Sequence, residues 1–85
     1  MKYKFTGLVH DGYIIASKRR DGTRNYINLH DVPSLTDYEN FRSLYKDKTI
    51  TVELAFKNSR PRIDRGIIGN FVRDIETMKV IDYEV

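Results

Sequence analysis

Residues 49–56 read Thr-Ile-Thr-Val-Glu-Leu-Ala-Phe, with an apolar core-type side chain at every second position. In a β-strand successive side chains point to opposite faces of the sheet, so this spacing gathers the large apolar groups on one face. We therefore expect a strand with one buried and one wet face. The buried set is Ile50, Val52, Leu54 and Phe56, and the wet set is Thr49, Thr51, Glu53 and Ala55.

The segment before this strand has the spacing of an amphipathic helix. Its apolar side chains recur every three or four residues, at Leu35, Tyr38, Phe41, Leu44 and Tyr45. Thr36-Asp37-Tyr38-Glu39 has the form of a capping box, in which the Thr36 hydroxyl accepts from the amide three residues on and Glu39 reaches back. The pattern predicts a helix of about two to three turns.

The first 29 residues predict three strands. Apolar and polar residues alternate over residues 2–9, and further strand-like runs occupy residues 13–18 and 25–29. Asp11-Gly12 and Asp21-Gly22 separate the runs, and Asp-Gly is a strong signal for a tight turn because glycine tolerates positive φ. An antiparallel three-stranded meander is the expected result.

The C-terminal third allows two interpretations. Residues 57–65 predict a polar loop containing Pro61. Beyond it, the β-branched residues favour a hairpin of residues 67–75 with 79–85, turning through Glu76-Thr77-Met78. The alternative is a C-terminal helix over about residues 66–77, on one face of which Ile67, Ile68, Phe71, Val72 and Ile75 would lie.

The resulting order, β-β-β-α-β-β-β, resembles the OB-fold, a small Greek-key β-barrel with a helix between its third and fourth strands. The resemblance is one of element order over nearly the whole chain, and Gly7 would suit the bend that such a barrel needs in its first strand. We expect a single mainly β domain with one α-helix over residues 1–85. An α+β sheet with the C-terminal helix is the alternative.

Composition limits the function classes. The chain of 85 residues contains no Cys, which excludes disulfide scaffolds and Cys-ligated zinc sites. It also has no apolar run near the roughly 20 residues of a membrane span. Its N-terminus lacks the apolar stretch of a secretory signal, so we expect a cytoplasmic protein without a membrane partner. Small size favours a binding protein over an enzyme, and no motif indicates a cofactor. The oligomeric state stays open.

Positive charge is concentrated in two segments. The formal net charge is +3, yet residues 17–24 hold four cations against Asp21, and residues 57–65 hold four against Asp64. Six of these eight cations are Arg, which binds phosphate or carboxylate in a bidentate way. If both segments meet on one face they form a cationic surface, and Tyr26, expected to point away from the core, could stack on a base. The predicted binding residues are Lys18, Arg19, Arg20, Arg24, Tyr26, Lys57, Arg60, Arg62 and Arg65.

These residues predict a non-enzymatic protein that binds a macromolecule through Arg-rich loops, with single-stranded nucleic acid as one candidate ligand. The alternative is a protein-binding module, an inhibitor or adaptor, that docks on an acidic partner surface. A remote alternative is a small metal-dependent enzyme that uses His10-Asp11 and His30-Asp31, which the meander would bring to one end of the sheet. Residues 66–69, Gly-Ile-Ile-Gly, lack the spacing and the Lys of a phosphate-binding P-loop.

Overall fold

The computed structural model describes residues 3–84, in which seven strands and one α-helix are the main elements. Two short 3₁₀ helices, Leu29–Asp31 and Lys57–Ser59, follow the third and fourth strands. In chain order the main elements are β1 (Tyr3–His10), β2 (Tyr13–Ile15), β3 (Asn25–Asn28), α1 (Tyr38–Tyr45), β4 (Thr49–Phe56), β5 (Arg62–Arg65), β6 (Asn70–Arg73) and β7 (Ile75–Tyr83).

The N-terminal meander is confirmed. Strand β2 pairs antiparallel with β1 on one side and with β3 on the other. Val9, Ile14 and Ile27 lie opposite one another across these strands and are buried in the core. Strand β2 is shorter than expected and ends at Ile15. The chain then leaves the ladder as a loop that Arg19 closes by donating its backbone N–H to the carbonyl of Thr23 at 2.7 Å.

Strand β4 has the predicted alternation. Ile50, Val52, Leu54 and Phe56 are all buried, because β4 lies between β1 and β7 and turns these side chains into the core. The same core receives Phe41 from α1, Val72 from β6 and Ile75 from β7. Burial of the apolar face that β4 shares with its neighbours β1 and β7 is the main contribution of the sheet to stability.

Helix α1 begins later than the capping-box pattern predicts. Asp37 is the N-cap, and its carboxylate accepts the N–H of Asn40 at 3.0 Å. The Thr36 capping box is therefore wrong, since Asp is as good an N-cap as Thr and lies one residue closer to the apolar face. Phe41 faces the core, whereas Leu44, placed in the apolar set by its spacing, is 54 % exposed.

The C-terminal third differs from both sequence interpretations. The helix over residues 66–77 is wrong, because these residues form the turn at 66–69, then β6 and the start of β7. The hairpin is also wrong: β6 pairs with β3 in parallel and with β5 antiparallel, whereas β7 pairs with β4. Glu76, Thr77 and Met78 lie inside β7 instead of forming a turn, and residues 62–65 form β5 instead of a loop. Val85 lies outside the described residues.

The physical reason is the fit of β7 to β4. Met78 and Val80 lie opposite Leu54 and Val52, which extends the apolar face of β4. The chain passes from β6 to β7 through Asp74 alone, which adopts φ 59° and breaks the strand there. If residues 67–75 and 79–85 paired only with each other, β4 would have no strand beside it on the side that β7 occupies.

The sheet order is β5-β6-β3-β2-β1-β4-β7. Its outermost strands do not pair with each other in residues 3–84, so the sheet is open and a closed barrel is not confirmed. The mainly β class with one α-helix is confirmed. Within the same residues, no helix is long and apolar enough to cross a membrane.

Candidate functional site

The loop between β2 and β3 carries the first basic segment and has a defined shape. The Asp21 carboxylate accepts the backbone N–H of Thr23 at 3.0 Å and its hydroxyl at 2.6 Å. These hydrogen bonds from Thr23, with a smaller contribution from the charge of Arg19, lower the pKa of Asp21 below its ordinary value of 3.8. Asp21 is thus committed to shaping the turn, because its oxygens already accept two donors from Thr23.

The hairpin of β5 and β6 carries part of the second basic segment. Its tip is Gly66-Ile67-Ile68-Gly69, where the N–H of Gly66 donates to the carbonyl of Gly69 at 2.6 Å. Arg65 lies opposite Asn70 at the last pair of the β5–β6 ladder. The tip therefore begins directly after Arg65.

Asn70 joins this tip to the β2–β3 loop. Its backbone N–H donates to the carbonyl of Arg24 at 2.9 Å, and its side-chain amide donates to the Thr23 hydroxyl at 2.9 Å. The same amide lies 3.4 Å from the side-chain oxygen of Asn25. Two stretches about forty positions apart are therefore hydrogen-bonded to each other beside Arg24 and Arg65.

A cavity of about 540 Å³ opens where the loop and the tip meet. Its charged lining residues are Lys18, Arg24 and Arg65, and none of its lining residues is acidic. The remaining lining residues are Gly22, Thr23, Gly66, Ile67, Ile68, Gly69 and Asn70. Arg24 is oriented by a hydrogen bond from Nη1 to the carbonyl of Ala16 at 3.2 Å. Arg19 and Arg20 are exposed in the same loop but do not line the cavity.

The other cations of residues 57–65 lie elsewhere. Arg62 is at the opposite end of β5 from Arg65, about 10 Å along the strand at the usual rise per residue. Its Nε is 3.8 Å from the carboxylate of Asp74. Lys57 lines a separate cavity that also contains Asp31 and Asp74, and Arg60 is exposed beyond β4. The structure thus joins Arg65 to the 17–24 segment but not Lys57, Arg60 or Arg62.

Acidic partners neutralise that far end of the hairpin. Arg73 of β6 forms a salt bridge with Asp64 and lies 3.7 Å from the carboxylate of Asp74. The hydrogen bond that Arg73 donates to Asp64, followed by the charges of Asp64 and Asp74, raises the pKa of Arg73. Among residues 3–84, by contrast, no carboxylate lies within salt-bridge distance of Lys18, Arg24 or Arg65. Among the cations of the β5–β6 hairpin, Arg65 at the tip is therefore the one without a carboxylate of residues 3–84 at salt-bridge distance.

The expectation that Tyr26 is exposed is wrong. Its side chain is 8 % exposed and packs between Tyr13 and Phe71, with ring centroids 5.5 and 6.2 Å away. Strand β6 lies parallel beside β3 with Phe71 opposite Tyr26. The Phe71 side chain therefore covers the Tyr26 ring, which a three-stranded meander would leave open on that side. Burial, followed by the charges of Tyr13 and Asp31, raises the pKa of Tyr26 above 10.0. Its ring offers no free face to a base.

The two His-Asp pairs have different surroundings. His10 lies 3.2 Å from the carboxylate of Asp11 and 3.8 Å from that of Asp47. The ring of His30 instead stacks on Tyr38 with centroids 4.3 Å apart. Within the part of the chain that the structure describes, no group of three or more His, Asp or Glu side chains is arranged to hold a metal ion.

Sequence reasoning missed Thr23, Asn70 and the Gly66–Gly69 tip as parts of this site. The signal was present in Gly-Ile-Ile-Gly, where two glycines flank two residues directly after a basic strand. Its meaning depends on β6 pairing in parallel with β3, which no local pattern specifies.

Comparison of the chain with protein-family models, with curated proteins and with solved structures gives no match in any of the three.

Proposed function

We propose that this protein is a non-enzymatic binding protein that holds single-stranded nucleic acid at the cavity between the β2–β3 loop and the β5–β6 tip. The observation that carries the proposal is the lining of that cavity by Lys18, Arg24 and Arg65 without an acidic residue. Three cations in one concave site attract successive phosphates of a strand, because each bound phosphate releases condensed counterions. The two Arg side chains can also hold phosphate oxygens in a bidentate way.

The OB-like interpretation of the fold belongs to this proposal. The OB-fold is a partly open barrel in which the connection after the fourth strand is one of the loops that bind oligonucleotides. Here the connection from β4 to β6 contains β5 with Arg65. Strands β6 and β7 are joined directly through Asp74, and they pair with opposite sides of the meander sheet, β6 with β3 and β7 with β4. A cytoplasmic location, where single-stranded RNA is abundant, completes the proposal.

The test is fluorescence anisotropy with a labelled oligo-dT strand of about 15 nucleotides, near the upper site size of an OB-fold. With three phosphate contacts, the slope of log K against log salt is expected near −2, since each contact on a single strand contributes about −0.7. Between about 50 and 200 mM salt the affinity then falls about 20-fold. Absence of binding at the lowest salt would refute the proposal.

Matched variants locate the site. Lys18→Gln with Arg65→Gln removes two cavity cations and is expected to reduce the steepness of the salt slope by about 1.4. Lys57→Gln with Arg60→Gln removes the same charge from residues outside the cavity and is the control. If both pairs weaken binding equally, the ligand follows net charge and not this cavity.

A second candidate is docking on an acidic protein surface. The exposure of Ile67 and Ile68 beside the cations favours it, because protein interfaces surround an apolar centre with a polar rim. A pull-down with the Lys18→Gln, Arg65→Gln variant tests it. Loss of a captured acidic protein, together with unchanged oligonucleotide affinity, would replace nucleic acid by a protein partner.

A further inference from the structure

The tip of the β5–β6 hairpin exposes two isoleucines. Ile67 is 103 % exposed, more than any other large apolar residue among residues 3–84, and Ile68 is 56 % exposed. Both line the cavity that contains Lys18, Arg24 and Arg65. An apolar pair thus stands beside an unneutralised cationic cavity.

The fold does not require isoleucine at these positions. Turns favour Gly, Pro, Asn, Asp and Ser, whereas β-branched residues such as isoleucine favour strands. Neither isoleucine belongs to the hydrophobic core or to the side chains packed against it. Departures from local rules without a gain in packing are expected at functional sites.

The tip is held in a fixed position relative to the cations. A Cβ built on Gly69 would lie 2.3 Å from the carbonyl oxygen of Arg24, and one built on Gly66 would lie 2.5 Å from the hydroxyl of Tyr26. Such close approach means that the backbone of the tip rests directly on β3 and the residue before it. Ile67 and Ile68 are therefore presented from a supported turn.

We infer that Ile67 and Ile68 form an apolar platform for an unstacked base of the strand whose phosphate occupies the cavity. This inference rests on the proposed function and adds a preference for single strands over duplex. A single strand offers an anionic phosphate and, next to it, a flat apolar base, which matches the cationic cavity and the adjacent isoleucines. In a duplex the base faces are stacked inside, so only the backbone reaches the site.

The geometry favours this ligand over an anionic bilayer. The three cations line a concave space, and a cavity of about 540 Å³ has the size of a small-ligand pocket. The sugar-phosphate backbone of a strand can enter it while one base meets the isoleucines that line it. A planar bilayer can meet an exposed tip, whereas cations that line a concave space suit a ligand that enters it.

The experiment compares Ile67→Ser with Ile68→Ser, made together, against Leu44→Ser. Leu44 is 54 % exposed on α1 and does not line this cavity, so it controls for loss of an exposed apolar side chain. Anisotropy is measured with oligo-dT and with a duplex of equal length. The isoleucine variant is expected to bind the single strand about fivefold more weakly, at the lower end of the range for loss of an aromatic platform, because isoleucine has no π-face on which a base can stack. The salt slope and the duplex affinity are expected to stay unchanged.

The outcomes separate the two proposals. If the unmodified protein binds no oligonucleotide at low salt, the proposed function fails. If it binds and the isoleucine variant binds equally well, only the base platform is refuted. Two results overturn the inference when oligonucleotide binding does not depend on the isoleucines. One is sedimentation with phosphatidylserine-containing vesicles that requires the isoleucines, and the other is binding of a poly-glutamate peptide that requires them. Circular dichroism checks the fold, and Ile67→Thr, which keeps the β-branch, replaces the double variant if that one unfolds.

Discussion

Gly69 is the residue at which the fold and the proposed site can be tested together. It adopts φ 155°, and an added Cβ would lie 2.3 Å from the backbone oxygen of Arg24. Because this neighbour is backbone, Gly69→Ala must move the tip away from β3. The same shift loosens the hydrogen bond from the N–H of Asn70 to the carbonyl of Arg24, now 2.9 Å long.

The expected cost has two contributions. A positive φ in a region that only glycine populates costs another residue about 1–3 kcal/mol, and an overpacked contact costs a further 1–3 kcal/mol or so. We expect Gly69→Ala to lower the free energy of unfolding by about 3–4 kcal/mol. Gly22→Ala is the matched control, since Gly22 has φ 86° but the nearest atom to its added Cβ is Lys18 Cε at 3.9 Å. This control carries only the backbone cost, about 1–2 kcal/mol.

Urea denaturation followed by circular dichroism measures both variants. The difference of about 2 kcal/mol between them corresponds to a urea midpoint about 1–2 M lower for Gly69→Ala than for Gly22→Ala. Oligonucleotide affinity is expected to fall in the Gly69 variant even where it remains folded, because Arg24 and Arg65 no longer meet at one cavity. Equal midpoints for the two variants would refute the close approach of the tip to Arg24.

Three further predictions concern the core, the helix and the pH dependence. Leu54→Ala is expected to cost about 2–5 kcal/mol in urea denaturation because Leu54 is fully buried, and a cost below 1 kcal/mol or so would contradict its place in the core. Asp37→Ala is expected to lower the free energy of unfolding by about 1 kcal/mol through loss of the N-cap, whereas Thr36→Ala stays within about 0.5 kcal/mol of the unmodified protein. The reverse ranking in urea denaturation would support Thr36 as the cap. The raised pKa of Tyr26 means that the native state holds this proton more tightly than the unfolded state, so its contribution is complete below pH 10 and is lost as the pH rises through the native pKa. Above pH 10 the urea midpoint of the unmodified protein is expected to fall relative to that of Tyr26→Phe. A difference between the two midpoints that does not change with pH would argue against burial of the hydroxyl.

Local patterns were sufficient for the meander, for β4 and for the existence of α1. Each of these elements is specified largely by near neighbours: the Asp11-Gly12 turn fixes the β1–β2 hairpin, and the period of two in β4 places Val52 and Leu54 in the core. The helix boundary was not fixed locally, because Thr36 and Asp37 are both good N-caps and the structure uses Asp37.

The C-terminal third could not be assigned locally. Residues 70–83 carry enough β-branched and aromatic residues for several strand pairings, and their partners, β3 and β4, are distant in sequence. The burial of Tyr26 and the position of Arg65 both depend on that choice. This is why the sequence predicted two basic segments but not which of their cations share a cavity.

By itself, the sequence determined the mainly β class, the core face of β4 and the concentration of Arg and Lys in two short segments, since each is a property of spacing or composition. Only the tertiary structure decided that Arg65 joins Lys18 and Arg24 while Lys57, Arg60 and Arg62 lie elsewhere. The reason is that parallel pairing of β6 with β3 is a long-range contact, chosen by how well the whole apolar face is buried and not by any preference of the residues that form the site.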